Sequence, residues 1–232
     1  MRYLSENRIG AACAVTGSVL LFIGTYLHPM QADPNNAVAA FTEYAADRLW
    51  VASHLTQLAG VMLMVAALLI LAQQLEARSG TAWPRLAAGG AIASLATTTA
   101  LQAVDGIALK AMVDSWAVAP AAHKEITFHA ALAVRQVEVG LASTSSLLFG
   151  LTVTLYGIAL LRDPTYSKWA AGIAIVGGVP TAIAGVVMAY TGFSELAMSI
   201  NMPASSLLLV WMLALGVLMW RRGASPSDET AV

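Results

Sequence analysis

Charge is what this sequence has least of. Only 11% of its 232 residues are Asp, Glu, Lys or Arg, where a water-soluble domain carries roughly 25%. So few charges cannot cover a surface that faces water. The net charge is −1 and the basic residues are scattered, so a nucleic-acid partner finds no electrostatic footing. Cysteine is almost missing as well. Cys13 stands alone in an apolar run, which excludes an intramolecular disulfide and leaves no Cys-based metal or redox motif. Aromatic residues are few, yet Trp50, Trp83, Trp169 and Trp220 all fall at the ends of apolar stretches, where interfacial belts belong.

What the chain does have is long apolar runs. It is 58% hydrophobic, with a mean hydropathy of +0.71. A membrane-spanning helix needs about 20 apolar residues. Six stretches meet or approach that length: 9–27, 49–71, 86–109, 139–161, 169–190 and 202–220. The fold class is therefore all-α, an integral membrane bundle of six transmembrane helices. It forms one domain over residues 1–222, with a disordered cytoplasmic tail over 223–232. The first run exceeds the roughly 7–15 residues of a signal-peptide core, so it reads as a retained helix.

Alternating the six spans sorts the basic residues. With the N-terminus inside, the inner segments hold Arg2, Arg8, Arg78, Arg85, Arg162, Lys168, Arg221 and Arg222. The outer ones hold only Arg48, Lys110, Lys124 and Arg135. The positive-inside bias then places both termini in the cytoplasm of a multi-pass protein of the inner (plasma) membrane. Gly17 with Gly24, and Gly150 with Gly157, recur on one helix face each and read as close helix packing. Pro180 is expected to bend the fifth span, and Pro203 to occupy the first turn of the sixth.

The polar residues gather at one end. His28 closes the first span, His54 opens the second, and His123 and His129 precede the fourth. Asp105 and Glu138 lie in or against apolar runs near that end. Ionisable groups at membrane depth are costly and mark function or a structural pairing. If the segment before the second span continues straight into it, Glu43, Asp47, Trp50, His54 and Gln57 share one face. Gln102 and Asp105 share another. Lys110 with Asp114, and Arg135 with Glu138, are spaced to pair. Asp105 needs a partner from among Arg135, His54 and His129, or else works as a neutral acid.

Three chemistries fit this set. Asp105 and Glu138 can serve as acid and base toward a small lipophilic molecule, with His54 and His129 as relays. Arg135 and Lys110 would then hold charge, and Gln57, Trp50 and Gln102 would line the pocket. In that reading Asp105→Asn abolishes turnover without unfolding the protein. Alternatively His28, His54, His123 and His129, with Asp47 and Glu43, supply ligands for a divalent metal, or His54 and His129 hold a haem. A structural or accessory membrane subunit is the non-catalytic alternative. A gated transport path has little room in six spans unless the chain forms a homo-oligomer.

The run Asp105-Gly106-Ile107-Ala108-Leu109-Lys110 with Trp116, and Arg135 through Glu138 followed by Leu148-Phe149-Gly150 and Gly157, resemble a pattern in one protein family. That family comprises bacterial, actinobacterial-type, multi-span integral membrane proteins of unknown function. The similarity covers most of residues 50–195. It implies a multi-span helical membrane protein and assigns no activity, cofactor or catalytic residue.

Overall fold

Each apolar run is continued at its ends by residues that keep the helix going into the interface, so the helices are longer than the runs. The computed structural model describes residues 2–224, and all its regular structure is helical. Helix α1 spans Arg2–Leu27, α2 Ala37–Ala46, α3 Trp50–Ser79 and α4 Trp83–Ala103. A π-helical segment, Val104–Leu109, joins α4 to α5, Lys110–Val118. A 3-10 turn at Ala121–His123 leads into α6, Lys124–Arg162. Helices α7, Lys168–Thr191, and α8, Glu195–Ala224, complete the chain. Six of the resulting helical segments are long and apolar enough to cross a membrane. The tail expected to be disordered lies, from residue 225 onward, outside the described residues.

Local chemistry fixes the helix ends. Asn36 caps α2 by accepting from the Ala39 N–H at 3.2 Å, as N-cap amides do. Pro84 sits in the first turn of α4, where its missing N–H costs nothing. Gly80 stops α3 with φ +61°, its N–H bonded to the Glu76 carbonyl. That left-handed residue is a common C-terminal stop.

The spans pack in chain order: α1 on α3, α3 on α4, α4 on α6, α6 on α7, α7 on α8, and α8 back on α1. They form a closed ring. Glycines set the approach distances. A Cβ on Gly60 would lie 2.6 Å from the Leu21 nitrogen, and one on Gly150 would lie 2.3 Å from the Ala182 nitrogen. In lipid, such close backbone contact replaces the hydrophobic drive that a soluble core would have. The half of the ring away from His28 is filled by Leu68, Leu71, Leu75, Tyr156, Trp211 and Met212. Tyr156 satisfies its hydroxyl on the Leu68 carbonyl at 2.9 Å. At the His28 end a second core of Phe41, Tyr44, Trp50, Leu109 and Val113 packs α2 onto α3, α5 and α6.

Three expectations change. Helix α2 does not run straight into α3: Asp47 is extended (ψ 118°) and ends α2, so Glu43 leaves the His54 face. The segment before the fourth span merges with it, placing Arg135 and Glu138 inside α6. Pro203 lies inside α8, which starts at Glu195. Helix-favouring residues upstream of each apolar run explain the last two differences.

Candidate functional site

His54 sits one turn into α3, and its Nδ1 is 2.7 Å from the Trp50 carbonyl. A carbonyl only accepts, so Nδ1 carries the proton. That commits Nε2 to whatever lies on the other side, and there the Asp105 carboxylate Oδ2 stands 3.0 Å away. His28 repeats the arrangement. Its Nδ1 is 2.8 Å from the Pro29 carbonyl, so Nε2 is its ligand nitrogen. One donor atom from each of His28, His54 and Asp105 lies within 4.8 Å of the other two. Three electron-pair donors, from the bend just past α1, from α3 and from the π-helical segment, thus face one small space. A lone pair 3.0 Å from a carboxylate is repulsive unless a cation, proton or metal, sits between them.

Several groups hold this geometry. Asp105 lies in the π-helical segment, a local irregularity frequent at functional sites. The Trp50 indole donates to the Asp105 carbonyl at 3.0 Å, tying the segment to α3. Gly106 lets the two helices meet, since a Cβ there would stand 2.5 Å from the His54 Cβ. The Trp50 ring lies 4.7 Å from both the His28 and the His54 rings, and Tyr44 lies 4.2 Å from Trp50. His54 is 2% exposed and its partner Asp105 15%. The second oxygen of Asp105, Oδ1, is buried without a hydrogen-bond partner. Burial first, and then the neighbouring His54, hold His28 below its ordinary value of 6.5, against the opposing pull of Asp105. Tyr44 is pushed up to about 12, mainly by burial, and stays a phenol.

The other expected site residues are placed as follows. Arg135 and Glu138 form a buried pair at 2.6 Å. Glu138 is near enough to Asp105 for the two carboxylates to act on each other. Arg135 also donates to the Pro34 carbonyl at 3.4 Å, and its guanidinium lies over the Tyr44 and Phe193 rings. Lys110 spends its ammonium on the Tyr44 and Ala45 carbonyls and on Asp114, which closes the C-terminus of α2. Gln102 donates to Gln57 at 3.0 Å, three residues beneath Asp105 and His54 respectively. Glu43 accepts from the Gln31 and Ala32 N–H groups, and Asp47 accepts from the Leu49 N–H at 2.7 Å. His123 and His129 are exposed and are not members of the His28–His54–Asp105 group. The sequence contains no signal for the carbonyl of Pro29, the π-helical segment or the Tyr44 stack.

No family model, no curated protein and no solved structure matches this chain.

Proposed function

We propose that this protein is a multi-pass membrane protein of the plasma membrane that holds a divalent metal ion at its outer end. His28, His54 and Asp105 are the ligands, and the ion acts on a small lipophilic molecule. One observation carries the reading: two imidazoles with Nδ1 committed to backbone carbonyls meet a carboxylate with an orphaned oxygen, and the donor atoms lie within 4.8 Å. Backbone carbonyls behind ligating histidines are the usual outer shell of a metal site, fixing tautomer and ring orientation. Bonds of about 2.0–2.2 Å to nitrogen and oxygen draw the three donors together by small side-chain movements.

A His₂Asp set is the three-ligand pattern of catalytic zinc, which keeps a fourth position for water or substrate. Bound there, the metal supplies a Lewis acid and a water acidic enough to attack near neutral pH. Asp105 then serves as a ligand rather than as the acid, and Glu138 remains the nearby carboxylate for proton transfer. The bacterial multi-span resemblance is compatible with this reading and adds no activity to it.

Cobalt(II) titration of the detergent-solubilised protein, with elemental analysis, tests the proposal. The expected result is one ion per chain with visible d–d bands, both lost in His54→Ala and unchanged in His129→Ala. A protein that takes up no cobalt, zinc or iron overturns it. The triad would then be an imidazolium–carboxylate pair that fastens α3 to the π-helical segment, as an accessory subunit requires.

A further inference from the structure

A second site lies inside the ring. All six spans line a cavity of about 270 Å³. It is larger than an engineered apolar cavity of about 150 Å³ that takes up benzene. Its lining is mostly apolar, with Met64, Leu68, Phe149 and Leu208. The lining also carries hydroxyls, among them Ser94, Thr98 and Ser145. Ser145 is 8% exposed, and its Oγ is buried without a hydrogen-bond partner. A buried hydroxyl left unpaired is costly, so an acceptor oxygen on a bound molecule would satisfy it.

The cavity is aligned with the metal-type centre. Leu21, Val61 and Thr98 line it, and each is seven residues from His28, His54 and Asp105 in turn. Within α3, the seven residues from His54 to Val61 are two helical turns on the same face, roughly 10 Å. Leu21 on α1 and Thr98 on α4 lie beside Val61 in the cavity wall. The cavity also has a way out. Ser205 of α8 both lines it and is exposed. The glycine contacts that bring α8 onto α1, Gly10 against Met219 and Gly216 against Val15, lie toward the opposite end. The opening beside Ser205 lies within the sixth candidate membrane span, Glu195–Arg222.

We infer that this cavity takes the hydrocarbon chain of a membrane lipid through the opening at Ser205, with an ester or other carbonyl oxygen of that lipid accepting from Ser145. The polar group of the same molecule points up the two turns toward His28, His54 and Asp105. The choice of that upper contact rests on the proposed metal function; the chain site rests on the cavity alone. It narrows the substrate class to chain-bearing lipids.

The test is photolabelling of the full-length protein in phosphatidylcholine vesicles doped with phosphatidylcholine that carries a diazirine in one acyl chain. Peptide mapping by mass spectrometry is expected to find label on Met64, Phe149 or Leu208. Val61→Trp, which fills part of the cavity, should lose that interior label while keeping its elution volume and cobalt binding. Interior label that persists in chelator-treated protein supports the chain site even where the metal reading fails. Cobalt-loaded protein labelled only on the outward-facing Phe22 and Val210 has annular lipid alone, which overturns the chain site and leaves the metal reading standing.

Discussion

At the scale of single residues, His54 does two jobs with two nitrogens. Nδ1 is anchored to its own helix and Nε2 faces Asp105, so any push on the ring acts directly on the site. Gly106 is where such a push can be applied. A methyl there would meet the His54 Cβ at 2.5 Å and Cγ at 2.9 Å, which is overpacking that costs about 1–3 kcal/mol. Gly106→Ala is therefore expected to lower both thermal stability and cobalt affinity. Gly140→Ala, with open space around it, should lower neither. Equal behaviour of the two variants, read by thermal unfolding and cobalt titration, would contradict this. His28 gives a pH prediction. Its folded value lies below 6.5, so the unfolded chain binds the proton first. The stability it contributes is complete above 6.5 and is lost as the pH falls from there through the folded value. Chelator-treated protein should melt at lower temperature below pH 6.5, and His28→Gln should flatten part of that fall. These residues were legible in the sequence as costly groups at one end of apolar runs. Their pairing was not: of three partners open to Asp105, the crossing of α3 with the π-helical segment selects His54. Lys110 was legible as a cation, but its use as a clamp on the end of α2 depends on where α2 folds back.

At the scale of elements, the site is only as fixed as the contact between α1 and α3, which bring His28 and His54 together. That contact is made backbone to backbone. Gly17 lies against the Gly60 carbonyl, Gly24 against the Ser53 carbonyl, and Gly60 against the Leu21 backbone. A Cβ on Gly60 would stand 2.6 Å from the Leu21 nitrogen, and neither backbone can yield as a flexible side chain could. Gly60→Ala is expected to force α1 from α3 and part the two histidines. It should weaken cobalt binding although the residue lies nearly two turns from His54, while Gly89→Ala, with nothing nearby, serves as the neutral control. Undiminished cobalt affinity in Gly60→Ala would show that α1 positions nothing. Gly17 and Gly24 at helical spacing made the α1 side of this packing readable in advance, whereas Gly60 stands alone in α3 with no such spacing. The break between α2 and α3 was not, because Asp47, Arg48 and Leu49 carry no proline or glycine to mark a stop. The π-helical segment was equally hidden: Val104–Leu109 reads as an ordinary apolar helix with one acid in it.

At the scale of the whole molecule, hydropathy alone marks the six spans, because each run must satisfy its backbone internally in lipid. Their ring order and central cavity come from packing that no single run reveals. The ring brings the start of α1 to the end of α8, with the Arg8 guanidinium 5.9 Å from the Trp220 ring centroid, so these two helix ends lie opposite His28. Charge supplies the proposed side of the membrane that end faces. Eight of the 12 lysines and arginines sit in the segments at the terminal end, and cytoplasmic segments carry such excess. On that proposed topology the His28–His54–Asp105 centre opens outward, and a chelator that cannot cross lipid reaches it from one side only. Cobalt-loaded protein in right-side-out membrane vesicles should lose its visible bands on addition of an impermeant chelator. Inverted vesicles should keep them until detergent is added. The reverse pattern would place the termini outside and turn the molecule over. Loss from both sides at equal rates would mean that the ring, rather than the bilayer, controls access to the metal.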